Sequence, residues 1–126
     1  MKTQVAIIGG GPAGLLLSEI LHRNGIESVV LERRSRAYVL GRIRAGVLEE
    51  GSVKVLCDNG LGDRLLRDGH VHDGAQLVWA GRDSFFIDCY KEAGKRFTTY
   101  GQTQVQEDLF AAADRRNATV LDEATD

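Results

Sequence analysis

A parallel α/β fold is what this sequence predicts, and three observations carry the prediction. An apolar, β-branched run, Gln4-Val5-Ala6-Ile7-Ile8, opens the chain and reads as a buried parallel strand. Glycines 9, 10, 11 and 14 follow at once, and Leu15, Leu16, Leu17, Ile20 and Leu21 then lead into a helix. A second apolar run, Ser28-Val29-Val30-Leu31, comes next and ends in Glu32. Strand, glycine turn, helix and strand make one right-handed crossover unit.

The spacing of Gly9, Gly11 and Gly14 is that of a dinucleotide-binding, Rossmann-like turn, and each glycine has a separate task. Gly9 permits the turn, Gly11 lets the backbone approach a pyrophosphate, and Gly14 lets the helix pack closely on the strand. Pro12 suits the first helical turn, where its missing N–H leaves no bond unmade. The free amides and the positive end of the helix then face the phosphates. Glu32 stands at the tip of the second strand, about 20 residues beyond the turn, where a carboxylate grips ribose hydroxyls. These features serve FAD or NAD(P) alike, so an NAD(P)-binding dehydrogenase module is a second reading.

Along the chain, the first helix runs from Pro12 to about Arg23 and stops at Asn24-Gly25. Arg33, Arg34 and Arg36 form a basic run directly behind Glu32. From Tyr38 to Leu48 the sequence reads as a loop in which Arg42 and Arg44 alternate between Gly41 and Gly46, so both side chains point the same way. Arginine is the side chain best suited to forked hydrogen bonding with phosphate. Val47 to Cys57 reads as a helix stopped by Asn59-Gly60, and Leu61 to Arg67 as a shorter one. Ala75–Ala80 and Ser84–Asp88 flank Gly81-Arg82-Asp83 as a hairpin whose apolar residues, Trp79 among them, suit a sheet core. Arg96–Tyr100 is a further strand. Thr103 with Gln106 is a capping box opening a helix to about Arg116, on which Val105, Leu109, Ala112 and Ala113 make the apolar stripe. Ala118–Leu121 closes as another parallel strand.

A chain of 126 residues is enough for one small domain and not two. The net charge of −2 argues against nucleic acid as a partner. No apolar run approaches membrane-spanning length, and no signal-peptide layout opens the chain. Cys57 and Cys89 lack metal-ligand spacing and read as reduced thiols of a cytoplasmic protein, with no metal site expected.

Four segments together resemble the para-hydroxybenzoate hydroxylase branch of the class A flavoprotein monooxygenases. They are Met1–Leu31, the loop from Tyr38 to Glu49 with its Gly-Arg-Ile-Arg-Ala-Gly-Val core, Asp68–Gly74, and Tyr100-Gly101-Gln102-Thr103. The loop is far more specific than the glycine turn. Arg42 and Arg44 with Gln102 also separate this reading from a plain nicotinamide-binding unit, which does not require them.

The resemblance implies that Gly9, Gly11, Ala13 and Gly14 hold the FAD pyrophosphate and Glu32 the adenosine ribose. Ala13 stands where the family often has serine, so a hydroxyl contact is lost while the backbone approach is kept. Arg42, Ile43, Arg44, Ala45, Gly46 and Val47 would line the flavin side, with Gln102 a further FAD contact. Arg33, Arg34 and Tyr38 match the stretch that sets the choice of NADPH over NADH as co-substrate. Taken alone, His72 reads as a polar loop histidine beside Asp73; the resemblance makes it the end of a proton path from a substrate phenol. His22 and His70 read as surface residues. The implied reaction is hydroxylation of 4-hydroxybenzoate to 3,4-dihydroxybenzoate by an enzyme that commonly forms dimers. The family's full chain is longer and carries the aromatic pocket elsewhere, so residues 1–126 are expected to be the N-terminal part of an FAD-binding domain. A third reading follows, a non-catalytic remnant that binds nucleotide weakly.

Overall fold

The computed structural model describes residues 2–125. Strand β1 (Val5–Ile8), helix α1 (Pro12–Arg23) and strand β2 (Ser28–Leu31) form the expected crossover unit, with Ala6 opposite Val29 and Ile7 opposite Val30 in parallel register. The helix stops as the sequence indicates: Asn24 caps it and Gly25 takes a left-handed φ of 71°.

The next stretch differs from expectation. Residues Arg36–Gly41 form a short helix, α2, where a loop was predicted, because the Ser35 hydroxyl accepts a hydrogen bond from the Tyr38 N–H at 3.2 Å and starts a turn. Val47–Glu49 then makes strand β3, so helix α3 begins at Glu50 and ends at Asp58, not at Val47 and Cys57. Tertiary pairing overrides the helical pattern here: Val47 lies opposite Thr99 and Glu49 opposite Phe97 in an antiparallel ladder. Helix α4 (Asp63–Asp68) follows, then β4 (His70–His72), β5 (Gly74–Leu77), β6 (Phe85–Asp88), α5 (Cys89–Ala93) and β7 (Phe97–Thr99). Helix α6 (Gln102–Arg115) and β8 (Thr119–Leu121) complete the described elements.

These strands make three sheets. The parallel one has order β1-β2-β8, a second has order β3-β7-β4, and β5 pairs with β6 as a separate ribbon. The hairpin is therefore present, but its loop is longer than the three residues expected, and its side chains are not a core. Trp79, Phe85, Phe86 and Ile87 are all exposed. The actual core lies between the parallel sheet and the helices: Ile7 and Val30 from the sheet pack with Leu15 of α1, Leu56 of α3, Leu65 of α4, and Leu109 and Phe110 of α6.

The capping box at Thr103 and Gln106 is not formed. Gly101 occupies the N-cap of α6, with no side-chain cap, and Thr103 already lies within the first turn. The Gln106 carboxamide is engaged elsewhere, donating to the Gly10 carbonyl oxygen at 2.8 Å.

Candidate nucleotide site

Ligands of parallel sheets bind at the carboxyl ends of the strands, and β1 and β2 bring the glycine turn and Glu32 together there. Gly9 has a φ of 112°, a conformation open to glycine and costly to other residues. A Cβ on Gly14 would fall on the Gly9 carbonyl oxygen and meet Ile7 Cγ2 at 3.2 Å, so α1 sits on β1 as closely as the third glycine of the motif permits. Around Gly11 the opposite holds: a Cβ there meets no heavy atom within 4 Å. Gly11 is also the N-cap of α1, with no side chain closing that end, so the first amides of the helix face open space.

Glu32 is tied to the turn. Its Oε2 accepts from the Gly10 N–H at 2.8 Å and its Oε1 from the Arg34 N–H at 2.9 Å. A carboxylate offers about four acceptor positions, so these two bonds leave capacity for hydroxyl donors. Gly10 is necessarily glycine, since a Cβ there would meet Glu32 Cβ at 2.9 Å.

Gly11, Glu32, Arg33, Arg34, Tyr38, Arg42, Arg44, Gln102 and Gln106 line one cavity of about 420 Å³, within the range of small-molecule pockets. Tyr38 organises its basic wall. The Arg42 Nη1 donates to the Tyr38 hydroxyl at 2.9 Å, and the Arg34 guanidinium lies 5.1 Å from the Tyr38 ring centroid. A depression of about 480 Å³ beside Lys2, His22 and Arg116 is slightly larger, but it lies at the amino ends of β2 and β8, away from the glycine turn. Strand polarity favours the first cavity.

Most residues expected at the site from sequence therefore converge, and several do not. Gly9 and Gly14 shape the turn without lining the cavity. Ala13 faces a neighbouring apolar groove with Leu16, Leu48 and Val55. Ile43 is 93 % exposed, and neither it, Ala45 nor Val47 reaches the cavity. Gly46 fixes the arginine loop in place: its carbonyl accepts from the Tyr100 N–H at 2.9 Å, and a Cβ on it would collide with the Tyr100 carbonyl oxygen. Arg36, part of the basic run, is withdrawn by Asp114.

His72 is elsewhere. It ends β4, with Nε2 3.0 Å from Thr99 Oγ1 and its ring stacked on Phe97 at 5.4 Å. Asp73, its neighbour in sequence, instead accepts from Arg96 at 2.6 Å.

Two residues that hold the site were not singled out for it in the sequence. Gln106 is one, read there as a helix cap. Tyr100 is the other: it is 5 % exposed and its hydroxyl donates to Asp108, so burial and that carboxylate push its phenol well above the ordinary tyrosine value. Tyr100 thereby anchors the strand end from which Gly101 and Gln102 enter the cavity.

The glycine turn, the carboxylate at the second strand and the arginine wall define a dinucleotide-binding α/β module. Residues 2–126 match the FAD binding domain family, to which the chain belongs. That match decides between the two dinucleotides which the turn alone left open. The chain is 44 % identical over 127 residues to the p-hydroxybenzoate hydroxylase of Acinetobacter baylyi, covering all of this chain and 31 % of that protein. Among solved structures it resembles PqsL of P. aeruginosa in complex with 2-aminobenzoylacetate, with a TM-score of 0.82 at 21 % identity over 96 % of this chain and 33 % of that one. It also resembles 2-methyl-3-hydroxypyridine-5-carboxylic acid oxygenase, with a TM-score of 0.77 at 23 % identity over 98 % and 32 % of the two chains. At such identities these two neighbours speak for the fold alone. The chain thus spans about a third of the length of these relatives.

Proposed function

We propose that this chain is the FAD-binding part of an NADPH-dependent monooxygenase that hydroxylates 4-hydroxybenzoate to 3,4-dihydroxybenzoate. What carries the reading is the single cavity shared by Gly11, Glu32, Arg44 and Gln102, together with whole-length similarity to p-hydroxybenzoate hydroxylase. The FAD diphosphate would lie against the Gly11 amide and the first turn of α1, with Gly9, Ala13 and Gly14 setting the backbone approach. Glu32 would accept from the adenosine ribose through the lone pairs its two backbone bonds leave free. Arg42, Arg44 and Gln102 would hold the diphosphate from the opposite wall, and the segment from Ile43 through Ala45 and Gly46 to Val47 would run along the flavin side.

Bound FAD supplies the redox chemistry: NADPH gives two electrons, one atom of O2 enters the aromatic ring and the other leaves as water. The contribution of these residues is to bind, orient and screen the cofactor. Arg33, Arg34 and Tyr38 would receive the additional phosphate of NADPH. His72, on its exposed strand, would pass the substrate's phenolic proton to solvent. Residues that recognise the aromatic ring would come from sequence outside these 126 residues, in a cytoplasmic enzyme that pairs as a homodimer.

The test is an FAD titration followed by flavin fluorescence, beside Glu32→Ala and Glu32→Gln. A hydrogen bond to a charged group contributes roughly 1.5–3 kcal/mol, so Glu32→Ala is expected to weaken binding about ten- to a hundredfold. Glu32→Gln keeps one acceptor and should fall between. Equal affinity in all three proteins would remove Glu32 from the ribose and sink this arrangement of the cofactor.

A further inference from the structure

We propose that Gln106 is a positioning residue for the diphosphate-binding turn, a role that rests on the FAD reading above. The turn opens with three consecutive glycines, Gly9-Gly10-Gly11, which have no side chains of their own to fix their peptide planes. Gly10 is instead pinned on both of its backbone polar groups, by side chains from two separate elements. Its N–H donates to Glu32 Oε2 at 2.8 Å, and its carbonyl accepts from Gln106 Nε2 at 2.8 Å.

The second bond bears on the ligand. The Gly10 carbonyl and the Gly11 N–H belong to one planar trans peptide, so fixing the direction of the carbonyl fixes the N–H, which points the opposite way. Among the described residues the Gly11 N–H has no acceptor, and Gly11 borders the cavity. Gln106 draws the carbonyl toward α6 and so presents that amide at the N-terminus of α1, where a phosphate oxygen would accept from it. Gln106 is 3 % exposed, which shields its bond from competing water. Its bond to Gly10 also joins α6 to a turn 96 positions earlier in the chain. Without the donor, the Gly10 carbonyl loses its partner and the Gly10–Gly11 peptide is free to rotate.

The experiment measures FAD and ADP affinity for the full chain and for Gln106→Leu and Gln106→Met, with adenosine as a competitor lacking the diphosphate. Circular dichroism checks the fold, and amide NMR follows the Gly11 N–H. Losing one neutral hydrogen bond should weaken FAD and ADP by roughly five- to tenfold, leave adenosine unchanged and shift the Gly11 amide resonance. Methionine, the more adaptable side chain, gives a second folded protein if leucine packs badly. Unchanged ADP affinity in either folded variant, or equal losses for ADP and adenosine, would overturn the role of Gln106 while leaving the site intact. Failure of the unsubstituted chain to bind FAD would overturn the site and this role together.

Discussion

Arg36 and Asp114, 78 positions apart, meet as a two-pronged ion pair, with guanidinium Nη1 and Nη2 donating to the two carboxylate oxygens at 2.9 and 2.7 Å. The same guanidinium lies 4.4 Å from the Phe110 ring centroid, and the Arg36 N–H donates to Asp122 at 3.1 Å. Helix α2 is thereby fastened to α6 and to the segment after β8. Tyr38, one turn further along α2, inherits its position from that fastening.

The pair is half exposed, which discounts its energy to about 0.2–1 kcal/mol, with the forked geometry favouring the upper end. Arg36→Ala should therefore lower stability to urea by up to about 1 kcal/mol. The Arg36 guanidinium also holds the Asp114 carboxyl below its ordinary value. A lowered carboxyl contributes stability that is complete above the unfolded value of about 3.9 and is lost as pH falls through the folded one. Asp114→Asn should accordingly cost stability at pH 7 and little at pH 2, with the two unfolding curves converging below about pH 4. Parallel curves across that range would show that the pair does not titrate as described.

The contrast between Arg36 and its neighbours explains what sequence could and could not reveal. Gly9, Gly11, Gly14 and Glu32 were legible because their tasks are backbone tasks, written in local spacing around one strand–helix–strand unit. The basic run was legible as charge but not as roles, since whether an arginine faces a ligand or Asp114 depends on a residue 78 positions away. Gln106 was misread for a related reason. Three-residue spacing from Thr103 imitates a cap, while the true partner, Gly10, comes close only when α6 packs beside α1. Val47 was read as helical because β3 has no local signature and exists through its pairing with β7. The ribbon β5–β6 was found from its alternation of residues, yet alternation carries no statement of what lies against either face.

Coenzyme choice should lie with the arginines that remain on the cavity. Arg33 and Arg34 line it, and Arg34 stacks against Tyr38. In a complete enzyme carrying this segment, Arg33→Ala with Arg34→Ala removes two cations facing the place proposed for the extra phosphate of NADPH. A charge-assisted contact contributes roughly 1.5–3 kcal/mol, so the ratio of kcat/KM for NADPH over NADH should fall at least tenfold, chiefly through KM for NADPH. Arg36→Ala, which leaves both cations in place, should move the ratio far less. An unchanged ratio in the double variant would place the extra phosphate elsewhere.

The surface of the isolated chain predicts its behaviour in solution. Strand β1 has β2 as its one pairing partner among the described residues, and Ile8 at its carboxyl end is 81 % exposed. The ribbon adds a second apolar surface, with Phe85 at 59 % and Phe86 at 47 %. An unpaired strand edge beside apolar side chains is a template for association, and a net charge of −2 gives little repulsion to oppose it. The chain alone should therefore scatter light increasingly with concentration and melt broadly and irreversibly. Ile8→Thr and Phe86→Ser together should raise the concentration at which scattering begins, since both remove exposed apolar area without touching the buried core around Val30 and Leu109. A soluble monomer with a sharp, reversible thermal transition would contradict this and show that the exposed edge and ribbon are tolerated by the fold as they stand.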